Sequence, residues 1–466
     1  MNKVPTHIPG LDELLMGGLP QGRATLLVGR SGVGKTLTAL QIAVNAAGHG
    51  VSAGFHSFEE RAPDLIQSAE SLGWDAERLI AEKRLFIDFT RLPHGEEMQV
   101  SGNLDVASTA RRLAEKAAQR GVQMLVLDSL SALFVGFDRS LRHHFYAFVE
   151  ALIDRDLTVV LTAEAEQDRT RFGHEDFVCD LVLLMRQRMD ERRRRRTVEV
   201  SKYRRSRHLQ GEFPFVVSKE GVVVFPLDVV GQLPEAALPV TDRFSSGVEG
   251  LDDVTGGGWL RGRCVLLRGT SGSGKTIFSG CHIHAALRRG ERVLLMGFEE
   301  TEPMILANWD ALGLRVRDDI KASRLRIVHR LPAATSPEDV IIELRRNLSD
   351  FQPDLVVLDS ISAVEHASSD DGFRQFVVGV TSALRATAAT SILVETTATE
   401  GPTGAPYMST AADAIVRLGT RPYGGGHRRY LKVVKMRGSA HDMARRAIEI
   451  GGERHPMRVG PALART

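Results

Sequence analysis

A short glycine-rich pattern that ends in Lys-Thr occurs twice in this chain of 466 residues. The first copy runs from Gly29 to Thr36, and the second, from Gly269 to Thr276, follows it by 240 residues. Shorter matches keep the same spacing: Gly-Leu-Asp at 10–12 and 250–252, and Phe-Glu-Glu at 58–60 and 298–300. A repeat of this length is far longer than the unit of a solenoid and corresponds to a whole domain. The chain is therefore predicted to contain two copies of one domain.

Apolar runs that alternate with helical patterns predict the fold of each copy. The candidate strands are residues 24–28, 52–55, 124–127 and 157–161 in the first copy and 264–267, 293–296, 355–358 and 391–394 in the second. Their continuous apolar character is typical of parallel strands that helices cover on both faces. We therefore predict two tandem α/β domains of P-loop type with mostly parallel sheets. Segments near 197–200 and 430–433 alternate in polarity and are expected to add antiparallel strands at the sheet edge.

A stretch with little periodicity and three prolines, residues 225–243, separates the two copies. Prolines and the loss of periodicity are typical of linkers. We place the first domain at 1–235 and the second at 236–466.

Charge and composition limit the classes of partner and compartment. The formal net charge is +2, so charge gives no reason to expect nucleic acid or an acidic membrane as a partner. No apolar run is long enough to span a bilayer, and the first residues lack the apolar segment of a signal peptide. Three cysteines without metal-ligand spacing suit a reducing compartment. We expect a cytoplasmic protein.

The repeated glycine-rich segment has the pattern of a phosphate-binding loop between a strand and a helix. Glycines let the backbone approach a phosphate closely, so that successive N–H groups point at it. The lysine is expected to reach the β- and γ-phosphates of ATP, and the threonine hydroxyl to bind Mg²⁺. The predicted nucleotide-binding residues are Ser31, Gly32, Gly34, Lys35 and Thr36 in the first domain and Ser271, Gly272, Gly274, Lys275 and Thr276 in the second.

An aspartate ends a central apolar strand in each copy, at Asp128 and Asp359. Ligands of parallel sheets bind at the carboxyl ends of the strands. Because Mg²⁺ prefers oxygen ligands, we predict that Asp128 and Asp359 hold this ion together with Thr36 and Thr276.

The residue after each of these aspartates is serine, so the glutamate that many NTPases place there to activate water is expected elsewhere. Glu59-Glu60 and Glu299-Glu300 are the candidates, and each pair follows a short apolar segment. Adjacent carboxylates near a γ-phosphate can polarise a water or a hydroxyl, and we predict that these residues are catalytic. A solvated acidic start of a helix is the alternative. Which glutamate of each pair is the base stays open.

Two basic pairs follow at an offset of 233 residues, Lys202 with Arg204 and Lys435 with Arg437. One interpretation is that they reach the γ-phosphate of a neighbouring subunit and stabilise charge in the transition state. The other is that they are exposed charges on an edge strand, and the residues alone do not separate the two. The five consecutive arginines from Arg192 to Arg196 are interpreted as a solvated hairpin tip, because aromatic residues for stacking on nucleic acid do not interleave them.

These residues together resemble the KaiC family of duplicated RecA-type ATPases and autokinases, which includes the cyanobacterial clock protein. The resemblance covers nearly the whole chain, and beyond the loops and the Phe-Glu-Glu segments it includes Leu-Asp-Ser-Leu-Ser-Ala at 127–132, Phe-Arg-Gln-Phe-Val at 373–377 and Lys-Met-Arg-Gly-Ser at 435–439. It implies a RecA-like fold and an ATP-bridged hexamer of two stacked rings. It also implies slow ATP hydrolysis in the first domain and phosphate transfer to a Ser-Thr pair of the adjacent subunit in the second.

The Ser-Thr pair that the family phosphorylates corresponds to Ser409-Thr410 in this sequence. Asp413 and Asp180 share the 233-residue offset, which aligns Ser409-Thr410 with Asp176-Phe177 of the first domain. Only the second domain therefore has hydroxyls at this place. The alternative is that Thr410 and Asp413 form a capping box at a helix N-terminus.

The sequence also departs from the family pattern. Gly404 replaces a further threonine of the phosphosite segment, and Arg205 replaces the glycine after the first basic pair. Only 27 residues follow Ser439, fewer than in the tail through which the stimulatory partner KaiA acts. The resemblance implies a KaiB-like or signalling partner in a circadian or stress pathway, and the short tail argues against dependence on KaiA.

Three functional hypotheses follow. The first is a hexameric ATPase with autokinase activity in the C-terminal ring. The second is a scaffold that ATP assembles and that lacks kinase activity. The third is a RecA-like DNA-dependent ATPase, against which the near-neutral charge argues.

Overall fold

The two copies of the repeat fold as two separate units in the computed structural model, Met1–Asp228 and Val229–Thr466. The structure describes all residues except 1, 92–105, 134–140, 167–168, 171–177, 191–192, 227–241, 332–335, 388, 399–405, 424–425, 452–454 and 464–466. The predicted domain boundary near residue 235 lies outside the described residues.

The first unit contains the following strands and helices. The strands are β1 (Lys3–Val4), β2 (Leu19–Pro20), β3 (Ala24–Gly29), β4 (Ala53–Ser57), β5 (Leu85–Phe89), β6 (Met124–Asp128), β7 (Thr158–Glu166), β8 (Arg169–Thr170), β9 (Leu181–Asp190), β10 (Arg193–Tyr203), β11 (Glu212–Ser218) and β12 (Gly221–Val224). The helices are α1 (Leu11–Leu14), α2 (Lys35–Gly48), α3 (Ala62–Ser71), α4 (Ala76–Ala81), α5 (Val106–Gln119), α6 (Leu130–Leu133) and α7 (Leu141–Ile153).

The second unit repeats this order. The strands are β13 (Arg243–Phe244), β14 (Trp259–Leu260), β15 (Cys264–Gly269), β16 (Val293–Gly297), β17 (Leu325–His329), β18 (Leu355–Asp359), β19 (Thr390–Thr396), β20 (Ala414–Tyr423), β21 (Gly426–Met436), β22 (Arg446–Ile450) and β23 (Met457–Ala462). The helices are α8 (Leu251–Val254), α9 (Lys275–Arg288), α10 (Glu302–Asp310), α11 (Arg317–Lys321), α12 (Pro337–Asp350), α13 (Ile361–Glu365), α14 (Asp370–Arg385) and α15 (Pro406–Ala411).

The main sheets of the two units have the same topology. In the first unit the strand order is β5-β4-β6-β7-β3-β9-β10-β11-β12, with β8 paired to β7, and in the second it is β17-β16-β18-β19-β15-β20-β21-β22-β23. The first six strands of each order are parallel, and the remaining three are antiparallel. The structure thus confirms the prediction of two α/β domains with mostly parallel sheets and antiparallel strands on one side.

The strand that leads into each glycine-rich loop lies in the middle of its sheet, which explains its continuous apolar character. All residues of β3 are buried. Leu27 packs in the core that includes Leu40 of α2, whereas Leu26 and Val28 pack in a second core that includes Phe148 of α7. Burial on both faces leaves little place for polar side chains, as expected for a strand between two helical layers.

The sequence predicts a solvated hairpin tip for the arginine run, whereas the structure places most of the run in a strand of a long antiparallel hairpin, where Arg195 and Arg196 are partly buried. Arg193 to Arg196 begin β10 and pair with Asp190 to Gln187 of β9, while Arg192 lies outside the described residues. Strand β10 lies between β9 and β11, so it is not an edge strand, and the same holds for β21 between β20 and β22. The pairing with β11 covers only residues 196–199 of β10, and the pairing with β22 covers only residues 430–431 of β21. Lys202 and Lys435 lie beyond these paired stretches, so both interpretations of the basic pairs stay open.

Within the described part of the chain, no helix has both the length and the apolar character that crossing a membrane requires.

The two central strands differ in charge at one buried position. Val28 of β3 pairs with Ala163 of β7, whereas Arg268 of β15 pairs with Glu395 of β19 at the same register. Arg268 Nε lies 2.6 Å from Glu395 Oε2, and the two side chains are 8% and 6% exposed. The second domain thus buries an ion pair where the first buries two apolar side chains.

Removing one partner of this ion pair should destabilise the second domain more than removing both. We expect Arg268→Val alone to lower the free energy of unfolding by about 3–5 kcal/mol, because the Glu395 carboxylate stays buried without its cation. Arg268→Val combined with Glu395→Ala recreates the pair of the first domain and should cost much less. Urea unfolding of the full-length variants measures this difference, and a double variant less stable than the single one would contradict it.

Candidate functional site

Both glycine-rich loops form an open cradle at the N-terminus of a long helix. Gly32 and Gly34 have φ values of 77° and 114°, and Gly272 and Gly274 have 74° and 102°. Such left-handed conformations are readily adopted by glycine and rarely by other residues. A Cβ atom added at Gly32 or Gly272 would meet nothing within 4 Å, so no other described part of the chain fills the space beside these two glycines. Backbone N–H groups in this arrangement are suited to bind phosphate.

The loop lysines fold over this cradle. Lys35 Nζ donates to the carbonyl of Arg30 at 3.1 Å, and Lys275 Nζ donates to the carbonyls of Gly269 and Thr270 at 3.0 and 2.9 Å. Burial lowers the pKa of both ammonium groups. A phosphate in the cradle would offer these lysines an anionic partner in place of neutral carbonyls, which is the role that the sequence predicts for them.

The threonine and aspartate predicted to hold Mg²⁺ are brought together in the first domain. Thr36 Oγ1 lies 3.2 and 3.1 Å from the two carboxylate oxygens of Asp128, and Thr162 Oγ1 donates to Asp128 Oδ1 at 2.5 Å. Burial raises the pKa of Asp128 to about 6. A buried carboxylate that faces a hydroxyl at a helix N-terminus is a ligand set of the hard oxygen type that Mg²⁺ prefers, so these residues fit the ion.

The second domain repeats this arrangement with one difference. Burial raises the pKa of Asp359 to about 6, and a hydrogen bond with Thr276 opposes that shift. The position of Thr162 is taken by Val394, which pairs with Leu267 as Thr162 pairs with Leu27. The orienting hydroxyl of Thr162 is therefore a feature of the first domain that sequence analysis missed.

Binding of Mg²⁺ with nucleotide should weaken as the pH falls through about 6. The ion requires the charged carboxylate, and a group with a pKa of about 6 is charged above that pH and protonated below it. We expect roughly tenfold weaker binding at pH 5 than at pH 7.5, measured by calorimetric titration of Mg²⁺-ADP. An Asp128→Asn/Asp359→Asn variant, which lacks the titrating groups, controls for titration of the nucleotide. Equal pH dependence in the variant and the wild type would contradict the prediction.

The serine after each aspartate holds one glutamate of each acidic pair. Ser129 Oγ donates to Glu59 Oε1, and Ser360 Oγ donates to Glu299 Oε1 at 2.6 Å. The neighbouring Glu300 points instead to α10, where Asn308 Nδ2 lies 3.5 Å from its Oε2 atom. The structure thus distinguishes the two glutamates that the sequence left equivalent, because the first of each pair accepts a hydrogen bond from the serine next to the aspartate that is predicted to bind Mg²⁺.

Electrostatic contacts support the same distinction. The negative charge of Glu59 opposes the lowered pKa of Lys35, and that of Glu299 does so for Lys275. The pKa of Glu60 is raised, first by burial and then by the charge of Glu59. The first glutamate of each pair is therefore the one that shares its surroundings with the loop lysine.

The lysine of each basic pair contacts the segment that directly precedes β9 in the first domain or β20 in the second. Lys202 Nζ donates to the carbonyl of Cys179 at 2.7 Å, and Lys435 Nζ donates to the equivalent carbonyl of Ala412 at 2.7 Å. Lys435 also donates to the carbonyl of Ser409 at 2.7 Å, and Arg437 donates to that of Thr410 at 3.3 Å. Arg204 is exposed. Within one chain, Lys435 and Arg437 thus lie at the predicted phosphosite.

Ser409 and Thr410 lie on the short helix α15 (Pro406–Ala411), where Ser409 is partly buried and Thr410 is exposed. Thr410 is near the C-terminal end of this helix, and strand β20 follows at Ala414. The alternative that Thr410 caps a helix N-terminus is therefore wrong. Asp413 instead accepts a hydrogen bond from the backbone N–H of Cys264 at 3.0 Å. The aligned Asp176-Phe177 of the first domain lies outside the described residues.

Comparison with known proteins decides the family. A protein-family model for the KaiC ATPase matches residues 4–229 and again residues 244–459. The chain belongs to the KaiC family. The double match corresponds to the two α/β units, and membership implies nucleotide binding and supports ATP hydrolysis.

Individual KaiC proteins are similar to this chain over almost its whole length. The circadian clock oscillator protein KaiC of Picosynechococcus sp. is 34% identical over 454 residues, which cover 95% of this chain and 87% of that protein. The circadian clock oscillator protein KaiC 1 of Synechocystis sp. is 33% identical, with 97% and 88% covered. The circadian clock protein KaiC3 of the same organism is 34% identical, with 95% and 89% covered.

Proposed function

We propose that this KaiC-family protein hydrolyses ATP in its first domain and transfers phosphate from ATP to Ser409 or Thr410 in its second. The proposal rests mainly on a network of four residues that occurs beside the loop in both domains. In each copy the loop threonine contacts the aspartate, and the serine that follows this aspartate donates a hydrogen bond to a glutamate. Both domains have this apparatus, and Ser409-Thr410 belongs to the second domain alone in the sequence alignment.

In the first domain the acceptor of the phosphoryl group is water. Lys35 and the loop N–H groups bind the phosphates, and Thr36 with Asp128 would hold Mg²⁺, which neutralises charge on the phosphates when bound. Glu59, positioned by Ser129, accepts a proton from the attacking water. The products are ADP and inorganic phosphate.

In the second domain the acceptor is a side-chain hydroxyl. The oxygen of Ser409 or Thr410 forms a bond to the γ-phosphorus while the bond from that phosphorus to the ADP oxygen breaks. Glu299, positioned by Ser360 at 2.6 Å, accepts the proton that the hydroxyl loses. Reversal of the same step returns the phosphoryl group to ADP and the proton to the hydroxyl.

The proposed reaction requires a neighbouring subunit. Lys202 and Arg204 in the first domain and Lys435 and Arg437 in the second would contact a nucleotide bound to the adjacent subunit, as the family resemblance implies. The same resemblance implies six subunits in two stacked rings. We further propose a role in circadian or stress signalling with a KaiB-like or other signalling partner, since the relatives compared above carry clock names.

The test of this function is incubation of the purified chain with Mg²⁺-ATP. Release of inorganic phosphate reports hydrolysis, and a gain in intact mass by one or two phosphoryl groups, located by peptide mapping to Ser409 or Thr410, reports transfer. Hydrolysis without a mass gain would refute the proposed kinase activity and support the proposed ATPase activity.

A further inference from the structure

The C-terminal end of the phosphosite helix α15 is held by three cationic side chains. The carbonyls of four successive residues, 409 to 412, each accept a hydrogen bond from one of them. Lys435 donates to the first and the fourth at 2.7 Å each, Arg437 to the second at 3.3 Å, and Arg385 to the third at 3.0 Å.

These contacts matter because α15 is too short to be stable alone. It has six residues, and isolated helices of that length do not form in water. The last carbonyls of a helix lack partners within it and carry partial negative charge, so cations stabilise them. Elsewhere the helix is anchored by Met408, which is buried, and by Tyr407, whose ring packs edge-on to Phe373 with centroids 6.2 Å apart.

The three cations differ in where they come from. Lys435 belongs to the end of β21 and Arg437 follows it, and both are the residues proposed above to contact a neighbouring nucleotide. Arg385 is the last residue of α14, in the body of its own domain. It has no counterpart in the first domain, where Ile153 stands at the same distance before β7 as Arg385 before β19.

A cation cannot donate the same hydrogen bond to a neighbour's phosphate and to its own α15. If the side chains of Lys435 and Arg437 rotate away from α15 toward a phosphate, three of the four carbonyls lose their charged donor. The contact from Arg385 to the carbonyl of Ala411 does not involve either residue, so it persists. The cation that stays is therefore the one that fixes the acceptor helix while its hydroxyls react.

We propose that Arg385 is the positioning residue of the phosphoacceptor helix in the second domain, and that it takes over from Lys435 and Arg437 once nucleotide binds across the subunit interface. This inference rests on the proposed function. Arg385 acts through the backbone of Ala411 and does not touch the reacting atoms.

Hydrogen exchange of the full-length protein tests this role without requiring any phosphate transfer. Amide exchange of residues 406–412 is compared in the wild type and in Arg385→Gln, without nucleotide and with a non-hydrolysable Mg²⁺-ATP analogue. Loss of a charged hydrogen bond should speed exchange about tenfold in the analogue-bound state. The effect should be several-fold smaller without nucleotide, because Lys435 and Arg437 then also donate hydrogen bonds to the carbonyls at the end of α15.

Two matched variants control the experiment. Arg385→Lys keeps a cation at the position and should restore most of the protection. Arg317→Gln removes an exposed arginine that pairs with Asp310 on the surface and should leave α15 unchanged. If the kinase is active, Arg385→Gln should also lower the rate of phosphate incorporation while phosphate release by the first domain stays at the wild-type rate.

The outcomes separate this inference from the function on which it rests. Absence of any change in α15 exchange in Arg385→Gln would overturn the positioning role. An equal change with and without the analogue would overturn the takeover and, with it, the trans contacts of Lys435 and Arg437. A wild-type protein that gains no phosphate while showing the nucleotide-dependent exchange would refute the kinase and keep the positioning role.

Discussion

Glu299→Gln is expected to reduce phosphate incorporation into Ser409 and Thr410 by about 10²–10⁴-fold, the usual contribution of a general base. Glutamine keeps the size of the side chain and still accepts the hydrogen bond from Ser360, but it cannot take the proton of the attacking hydroxyl. Glu300→Gln should have a much smaller effect, about tenfold or less, because Glu300 lies beside Asn308 and, unlike Glu299, is not held by Ser360 next to Asp359.

Intact mass after incubation with Mg²⁺-ATP measures this series, and Glu59→Gln is its matched control in the other domain. That variant should keep the mass gain and lose phosphate release, since Glu59 is held by Ser129 of the first domain. Phosphate incorporation by Glu299→Gln at the wild-type rate, with Glu300→Gln inactive, would assign the base to Glu300 instead. A wild-type mass that does not change would refute phosphate transfer altogether.

Lys275→Ala and Lys35→Ala should each remove nucleotide from one domain and spare the other. Each lysine is 8% exposed and folded over its loop, so its truncation leaves bound phosphates without their buried cation. Losing such a charged contact costs about 2–5 kcal/mol, which corresponds to roughly 30- to several-thousand-fold weaker binding. We expect Lys275→Ala to abolish phosphate incorporation and Lys35→Ala to abolish phosphate release by the first domain.

The same two variants separate the kinase from the scaffold hypothesis. Size-exclusion chromatography with and without ATP shows which domain drives assembly, and a Ser409→Ala/Thr410→Ala variant shows whether phosphate acceptance is needed for it. Assembly that requires Lys35 while the hydroxyl variant signals normally would favour a scaffold. An oligomer size that ATP does not alter in any variant would contradict both ring hypotheses, and stimulation of hydrolysis by single-stranded DNA would favour a DNA-dependent ATPase.

The four strands predicted in each domain begin within one residue of the observed ones, whereas the parallel strands β5, β9, β17 and β20 were not predicted. Strand β3 is predicted at 24–28 and is found at Ala24–Gly29. Strand β18 was expected at 355–358 and ends one residue later, at Asp359. This agreement has a physical cause, because residues that are buried on both faces of a sheet are mostly apolar and therefore form a clear local pattern.

The side-chain network around each loop was only partly predictable. The serine after each aspartate was noticed as a departure from other NTPases, yet its contact with a glutamate 70 residues away in the first domain was not anticipated. Thr162 and Arg385 were missed entirely. Each forms its contact with a residue distant in the sequence, at Asp128 and Ala411, and no local pattern marks a hydroxyl or a guanidinium for such a contact.

By itself, the sequence determined the duplication, the α/β class, the loop residues and the carboxylates, because periodicity and fixed spacing are properties of the chain. Only the tertiary structure decided which glutamate lies beside the aspartate, that Lys202 and Lys435 lie on strands between two others in the sheet order, and that Thr410 lies near the end of a helix held by cations from α14 and from the end of β21. Those relations depend on which strands become neighbours and where helices end in space. Packing establishes them between segments that are far apart along the chain.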